Sequence, residues 1–250
     1  MSLTFKGSLA ALAIAVAATG CAPVNYERPE QGPTPGAAAM PSKGQRAGVI
    51  SVLGERPANV HMGATDTTPG SHEVEAAQRW QVDFFAETVV ERWAVSRGFT
   101  TVVAGDRRSE FAGLAKFHGA TAAEFLDLGT ARAAVDEFAR RERLDQVLIV
   151  TPAHVPEQYS GPMDVHAGYG LWNRGTLSGC FSVVRISVYD VKAGKVTKQQ
   201  QGTRMSRREN SALAGRSLTN LSETLQSEMR DCMMDAIDFA SDYALDRLGL

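Results

Sequence analysis

Phe181-Ser182-Val183-Val184-Arg185-Ile186-Ser187-Val188-Tyr189, then Asp190-Val191-Lys192-Ala193-Gly194 and Lys195–Arg204, is the stretch that decides the fold. Val184, Ile186 and Val188 alternate with Val183, Arg185, Ser187 and Tyr189, the period-2 pattern of a strand with one face in water. The five residues that follow include the Asp and Gly that turns favour, so the two runs read as a β-hairpin. The alternation predicts that Val184, Ile186 and Val188 point inward and that Arg185 and Tyr189 point outward.

Working outward, Val147-Leu148-Ile149-Val150 reads as a buried strand closed by Pro152. Gly48–Gly54 reads as another, Ala58–Ala64 as a weaker one, and Phe99–Ala104 as a short β-branched strand. Between them, Glu73–Ser96 repeats apolar residues at helical spacing. One track is Ala77, Trp80, Phe84 and Thr88, and its neighbour is Val82, Phe85, Val89 and Trp93. Asp106–Gly129 reads as one or two short helices. Thr130–Arg143 reads as a helix with Val135, Phe138 and Ala139 inward. A long helix is expected over Ser217–Arg247, its stripe running through Leu218, Leu221, Leu225, Met229, Cys232, Ala236, Ala240 and Tyr243. Strands alternating with helices and closed by an antiparallel hairpin predict an α/β (α+β) fold. It should hold a single mixed β-sheet with helices packed against it and a long C-terminal helix.

The start of the chain is of another kind. A short charged opening with Lys6 leads into an apolar run from Ser8 to Ala18, then small residues, then Cys21. That run is too short for a membrane span, which needs about 20 residues. It has the layout of a signal peptide. Ala18-Thr19-Gly20-Cys21 resembles the lipobox of bacterial lipoproteins, although Ala18 stands where that family most often has Leu. The resemblance implies cleavage after residue 20 and acylation of Cys21, palmitate included. No Asp follows the cysteine, and in that family this goes with the outer membrane, periplasmic side. Each buried methylene contributes about 0.8 kcal/mol, so several acyl chains hold a protein to its leaflet.

Residues 21–46 form the next unit. Pro23, Pro29, Pro33, Pro35 and Pro41 are half of the ten prolines, and only Val24, Tyr26 and Met40 offer apolar bulk. Such a segment cannot offset its ordering entropy and reads as a disordered tether. A flexible coil of that length reaches about 28 Å. Residues 47–250 then form one periplasmic α/β domain. The net charge of −2 comes from mixed signs, which gives no electrostatic case for nucleic acid.

A second resemblance rests on the domain. Leu144-Asp145-Gln146-Val147-Leu148-Ile149-Val150 and Val188-Tyr189-Asp190-Val191-Lys192-Ala193-Gly194-Lys195-Val196 resemble a strand and a hairpin of the domain shared by CsgG-type curli-secretion lipoproteins and the N-terminal domain of TolB. The resemblance covers about 144–204 by residue pattern and 47–250 by order of elements. The membrane hairpins of the secretion pores have no counterpart. Pro156, Pro162, Asp164 and Arg174 break the alternation of Ala153–Gly179, and Met205–Arg216 is too short.

Chemistry is sparse. There is no Gly-x-Ser-x-Gly elbow, Gly179-Cys180 has no nearby His, and Ala193–Thr197 lacks the first Gly of a phosphate loop. No catalytic residue, metal site or cofactor is assigned. His154, Asp164 and His166 are the one weighed zinc set, with polar loop residues as the plain reading. Tyr169, Leu171, Trp172 and Arg174, among glycines, read first as a loop with Trp172 folded back over the sheet edge, the sharper alternative being an exposed docking loop or membrane-touching tip. Once Cys21 is acylated, Cys180 and Cys232 remain, and export to an oxidising compartment predicts a disulfide between them. The functional expectation is a non-enzymatic assembly or secretion accessory docking on other envelope proteins, alone or as a homo-oligomer. The competing class is a periplasmic enzyme or small-ligand or metal-binding protein using residues 154–175. Mass spectrometry of the mature protein should show an acylated N-terminal Cys21; a free Ala or Met N-terminus in the soluble periplasm would contradict it.

Overall fold

Strand β7 (Leu177–Asp190) organises the molecule because its β-branched run is long enough to take three strand neighbours. Along one edge it pairs antiparallel with β5 (Gln146–Pro152) over Val184–Asp190 and with β6 (Tyr169–Arg174) over Leu177–Ser182. Along the other edge it pairs with β8 (Lys195–Met205). The sheet therefore forks at β7. One branch continues through β5 to β1 (Arg46–Ser51) and β4 (Thr100–Val103), all three parallel. The other runs through β6 to β2 (Ala58–His61), parallel to it, and β3 (Ser71–Val74), antiparallel. The computed structural model describes residues 44–61, 71–74, 80–117, 128–153, 168–174, 177–206 and 218–250. The signal reading lies outside them, as do residues 21–43 of the tether, His154, Asp164 and His166, whereas Arg46, read as the end of the tether, is the first residue of β1.

Among the described residues, three α-helices cover this eight-stranded sheet: α1 (Val82–Ser96), α2 (Arg132–Glu142) and α3 (Glu223–Leu248). The fold is thus the expected mixed sheet with a long C-terminal helix. On one face α1 and α3 pack over Val49, Leu148, Val150, Val184, Ile186 and Val188. On the other, α2 and a run of 3-10 turns over Gly105–Phe117 cover Ile50, Val147, Ile149 and Tyr189. A smaller apolar cluster, with Val60, Trp172, Phe181 and Val183, lies under the far end of that face. Asp190 closes the hairpin by accepting the Ala193 amide at 2.8 Å.

Several readings are corrected. Val184, Ile186 and Val188 do face a helical layer, but Tyr189 is fully buried and Arg185 is only 7% exposed, so neither points into water. Polar residues at alternate positions imitate a wet face here because α2 and its neighbours cover one end of it. The first helix begins at Val82, not Glu73, and residues 71–74 are strand. Within α1 the buried set is Val82, Asp83, Ala86, Glu87, Val89, Val90, Trp93 and Ala94, while Phe84 is 53% exposed. Of the two tracks, Val82, Val89 and Trp93 face the core and Phe85 is half-buried, whereas Phe84 and Thr88 are exposed because Asp83 and Glu87 occupy the inward turn beside them. On α3, Tyr243 sits half-buried at the rim, and Met233, Ile237, Ala244 and Leu245 complete the stripe.

Helix α3 lies unusually close to β8. A Cβ added at Gly202 would stand 1.7 Å from the Ala240 carbonyl oxygen, so only glycine permits the contact. Ile186→Ala should lower the unfolding free energy by about 2–5 kcal/mol in urea titration. Tyr189→Ala should cost a similar amount; a loss below about 0.5 kcal/mol, typical of surface sites, would contradict burial of the second face.

Candidate functional site

Two buried groups of interacting polar atoms stand out. The first forms where the C-terminal ends of β1 and β4 meet the start of α1. Asp83 and Glu87 are four residues apart, so both project from the same inward face as Ala86 and Val90. Asp83 is 7% exposed and accepts hydrogen bonds from the Ser51 hydroxyl and the Leu53 amide, both at 2.7 Å, and from the Gly54 amide at 3.2 Å. Glu87, 1% exposed, accepts the Ser51 amide at 3.2 Å and the Gly105 amide at 3.4 Å. Arg108 closes a bidentate pair on Glu87 at 3.1 and 2.7 Å. The Tyr169 hydroxyl donates to the Gly54 carbonyl at 2.8 Å, tying β6 to the same corner.

Burial pushes the Asp83 carboxyl above its ordinary value, against the pull of the Ser51 hydroxyl, the Gly54 and Leu53 amides and Arg108. Burial, then the nearby charges of Glu55 and Asp83, push the Tyr169 phenol up strongly. The carboxylate oxygens are engaged by fixed donors of the backbone and Arg108. Their chemistry is that of a clamp: they satisfy amides that the sheet leaves unpaired at its end. Sequence reading passed them by, although two acids spaced i, i+4 inside an apolar face were the available signal.

The second group surrounds the cysteines. Cys180 and Cys232 are joined in a disulfide with their Cα atoms 6.0 Å apart, linking β7 to α3 across 52 residues. Ser206, just past β8, binds all the parts. Its amide donates to the Cys180 carbonyl at 2.9 Å, its hydroxyl accepts the Cys180 amide at 3.0 Å, and that hydroxyl lies 3.3 Å from the Cys232 Sγ. The Trp172 indole donates to the Ser206 carbonyl at 2.9 Å. A side chain at Gly179 would meet that carbonyl at 1.9 Å.

Tyr169, Leu171, Trp172 and Arg174 belong to β6, inside the sheet between β2 and β7, rather than to an exposed loop. Tyr169, Leu171 and Trp172 are 2, 3 and 8% exposed. Their alternation is that of a strand flanked by β7 and by the sequence-distant β2, and a side chain at Gly170 would meet the Ala58 carbonyl oxygen at 2.0 Å, so glycine there allows close strand packing. The buried aromatics leave that strand no docking tip. Among the described residues, no group of three or more His, Cys, Asp or Glu is placed to hold a metal ion.

No protein-family model matches the chain, and no curated protein matches it. Among solved structures it is similar to the LpoB C-terminal domain from Salmonella enterica, at 15% identity and TM-score 0.29, over 68% of this chain and 88% of that one. It is also similar to a Xanthomonas campestris protein, at 11% identity and TM-score 0.39, over 80% and 81% of the two chains. Lipoprotein GNA1162 from Neisseria meningitidis is similar at 11% identity and TM-score 0.32, over 77% and 97%. The functional reading rests on this chain's own residues.

A raised native pKa means that the folded state holds the Asp83 proton more tightly than the unfolded one. Its contribution to stability is therefore fully present below the ordinary 3.8 and lost as pH rises through the native value. The stability of the parent protein minus that of Asp83→Asn should increase as pH falls from neutrality toward that ordinary value, measured by urea unfolding. A difference that shrinks on acidification would contradict the desolvation account.

Proposed function

We propose that the protein is an outer-membrane-anchored periplasmic lipoprotein that serves as a non-enzymatic accessory in envelope assembly or secretion. The observation that carries this reading is the Cys180–Cys232 disulfide. Structural disulfides persist in oxidising compartments, which agrees with an apolar leader ending in Ala18-Thr19-Gly20-Cys21. Acylation of Cys21 would supply the anchor, and the proline-rich residues 22–43 would supply reach. The domain's buried polar atoms clamp its own backbone, so its work would be done by its surface, through contact with other envelope proteins. The competing enzymatic or metal-binding reading draws on residues 154–175, and the described part of that stretch is buried strand.

Cys21→Ala tests anchor and compartment together. The parent protein should fractionate with outer membranes and carry no titratable thiol beyond those reduced deliberately. The variant should be retained as unprocessed precursor or released from that fraction. Crosslinking in cells followed by detergent extraction should recover envelope proteins with the parent chain and lose them with Cys21→Ala. Stoichiometric zinc in the purified chain, or fractionation with the cytoplasm, would contradict the proposal.

A further inference from the structure

Strand register brings several element ends together at one end of the sheet. β1, β4 and β5 begin there, since Arg46 lies beside Thr100 and Ala47 beside Gln146. β7 finishes there, with Asp190 opposite Gln146, and β8 starts there, with Lys195 opposite Asp190. α1 and α2 end at the same place, a few residues before β4 and β5 begin. The end of α3 joins them: the Arg97 guanidinium donates to the Leu250 carbonyl at 3.3 Å, and Lys198 Nζ donates to the Gly249 carbonyl at 2.8 Å. The chain also enters the domain here, where the Gln45 carbonyl accepts the Thr100 amide at 3.0 Å. Residues 21–43, the tether of the proposed reading, therefore attach at this end.

This end is basic in a chain whose net charge is −2. Across residues 44–46, 97–100, 143–146, 190–198 and 246–250, seven cations stand against three acids. The acids are engaged: Asp145 accepts the Arg46 amide at 2.7 Å, Asp190 accepts the Ala193 amide at 2.8 Å, and Asp246 lies 3.6 Å from Arg97. Arg97, Arg143 and Arg247 stand at helix C-termini, where a cation complements the helix dipole, so the helices alone account for them. Arg46 and Lys198 are tied to the Glu142 and Gly249 carbonyls. Lys192 and Lys195 serve no helix. Both are exposed around the turn between β7 and β8, and among the described residues neither has an ion pair or a side-chain hydrogen bond. The Val191 amide donates to the Asp145 carbonyl at 3.1 Å, and Gln45, Asp145 and Lys192 line one hollow, which holds this turn beside the point of entry.

We propose that this end of the domain is a lipid-facing surface, with Lys192 and Lys195 resting on anionic phospholipid headgroups of the membrane that holds the Cys21 anchor. The inference rests on the proposed anchoring for its partner and on the chain's point of entry for its geometry. An acyl anchor fixes distance and leaves orientation open, whereas basic residues beside the attachment point are drawn to an anionic surface and set the orientation. Tethering makes the contact intramolecular, so a headgroup affinity too weak to hold a free protein suffices. The opposite end of the sheet, where Arg56 follows β1, is then turned away from the membrane.

The test removes the acyl group, so that only the protein surface can bind. The mature chain, residues 21–250 with Cys21→Ala, is sedimented with vesicles of phosphatidylcholine alone or of phosphatidylcholine and phosphatidylglycerol in equal parts. The salt is held at about 0.1 M, where charges act over about 10 Å. The chain should pellet with the anionic vesicles and stay in solution with the neutral ones. Lys192→Glu with Lys195→Glu should weaken that binding about tenfold or more, and Lys192→Gln with Lys195→Gln should fall between the two. Arg56→Glu with Arg230→Glu is an equal charge change at exposed positions away from this end and should weaken it less than about twofold, with thermal melting checked for every variant. No pelleting with anionic vesicles, equal pelleting with neutral ones, equal loss in the two Glu variants, or a pellet formed without vesicles would each overturn the proposal. None of these results bears on the anchor itself, which the mass of Cys21 in the native protein decides.

Discussion

Every layer of this molecule is attached to β7. Its 14 residues supply hydrogen bonds to β5 and β6 on one edge and to β8 on the other. Twelve consecutive residues, Ser178–Tyr189, are buried. One side of the strand belongs to the α1–α3 layer and the other to the α2 layer and the Trp172 cluster. A strand committed on both faces and both edges cannot slip by one residue, because a slip would exchange every side chain between the two layers. The forked sheet follows from its length: β5 and β6 are both too short to fill one edge, so each takes part of it.

The closures elsewhere bring distant segments back to this strand. Asp83 and Glu87 carry α1 onto the ends of β1 and β4 through amide donors and Arg108. Gly202 allows α3 to touch β8, and the disulfide fixes the same helix to the first part of β7. These contacts pair polar atoms with one another inside the protein.

Much of this was legible in the chain. Val147–Val150, the Asp190–Gly194 turn and the long helix over Cys232 and Ala236 are each written in local pattern, and their elements stand close to where periodicity puts them. Long-range cover is not written locally. Tyr189 looks like the wet side of a strand until α2 is known to lie on it, and Tyr169–Arg174 looks like a mobile aromatic loop until β2 and β7 are known to flank it. Asp83 and Glu87 were hidden by the ordinary expectation that acids lie outside. Their placement depends on amides at Ser51, Leu53 and Gly105, which lie up to 36 residues from them in sequence. The cysteine pairing was legible because it needed only a count and a compartment.

Native-state hydrogen exchange tests the central role of β7 most directly. Buried amides at the heart of a cooperative unit exchange only when the whole molecule opens. The account predicts that Val183–Val188 are the slowest amides in the protein and that their exchange accelerates with denaturant in step with global unfolding. Exchange of these amides through local opening, insensitive to denaturant and faster than in β1 or α3, would contradict it.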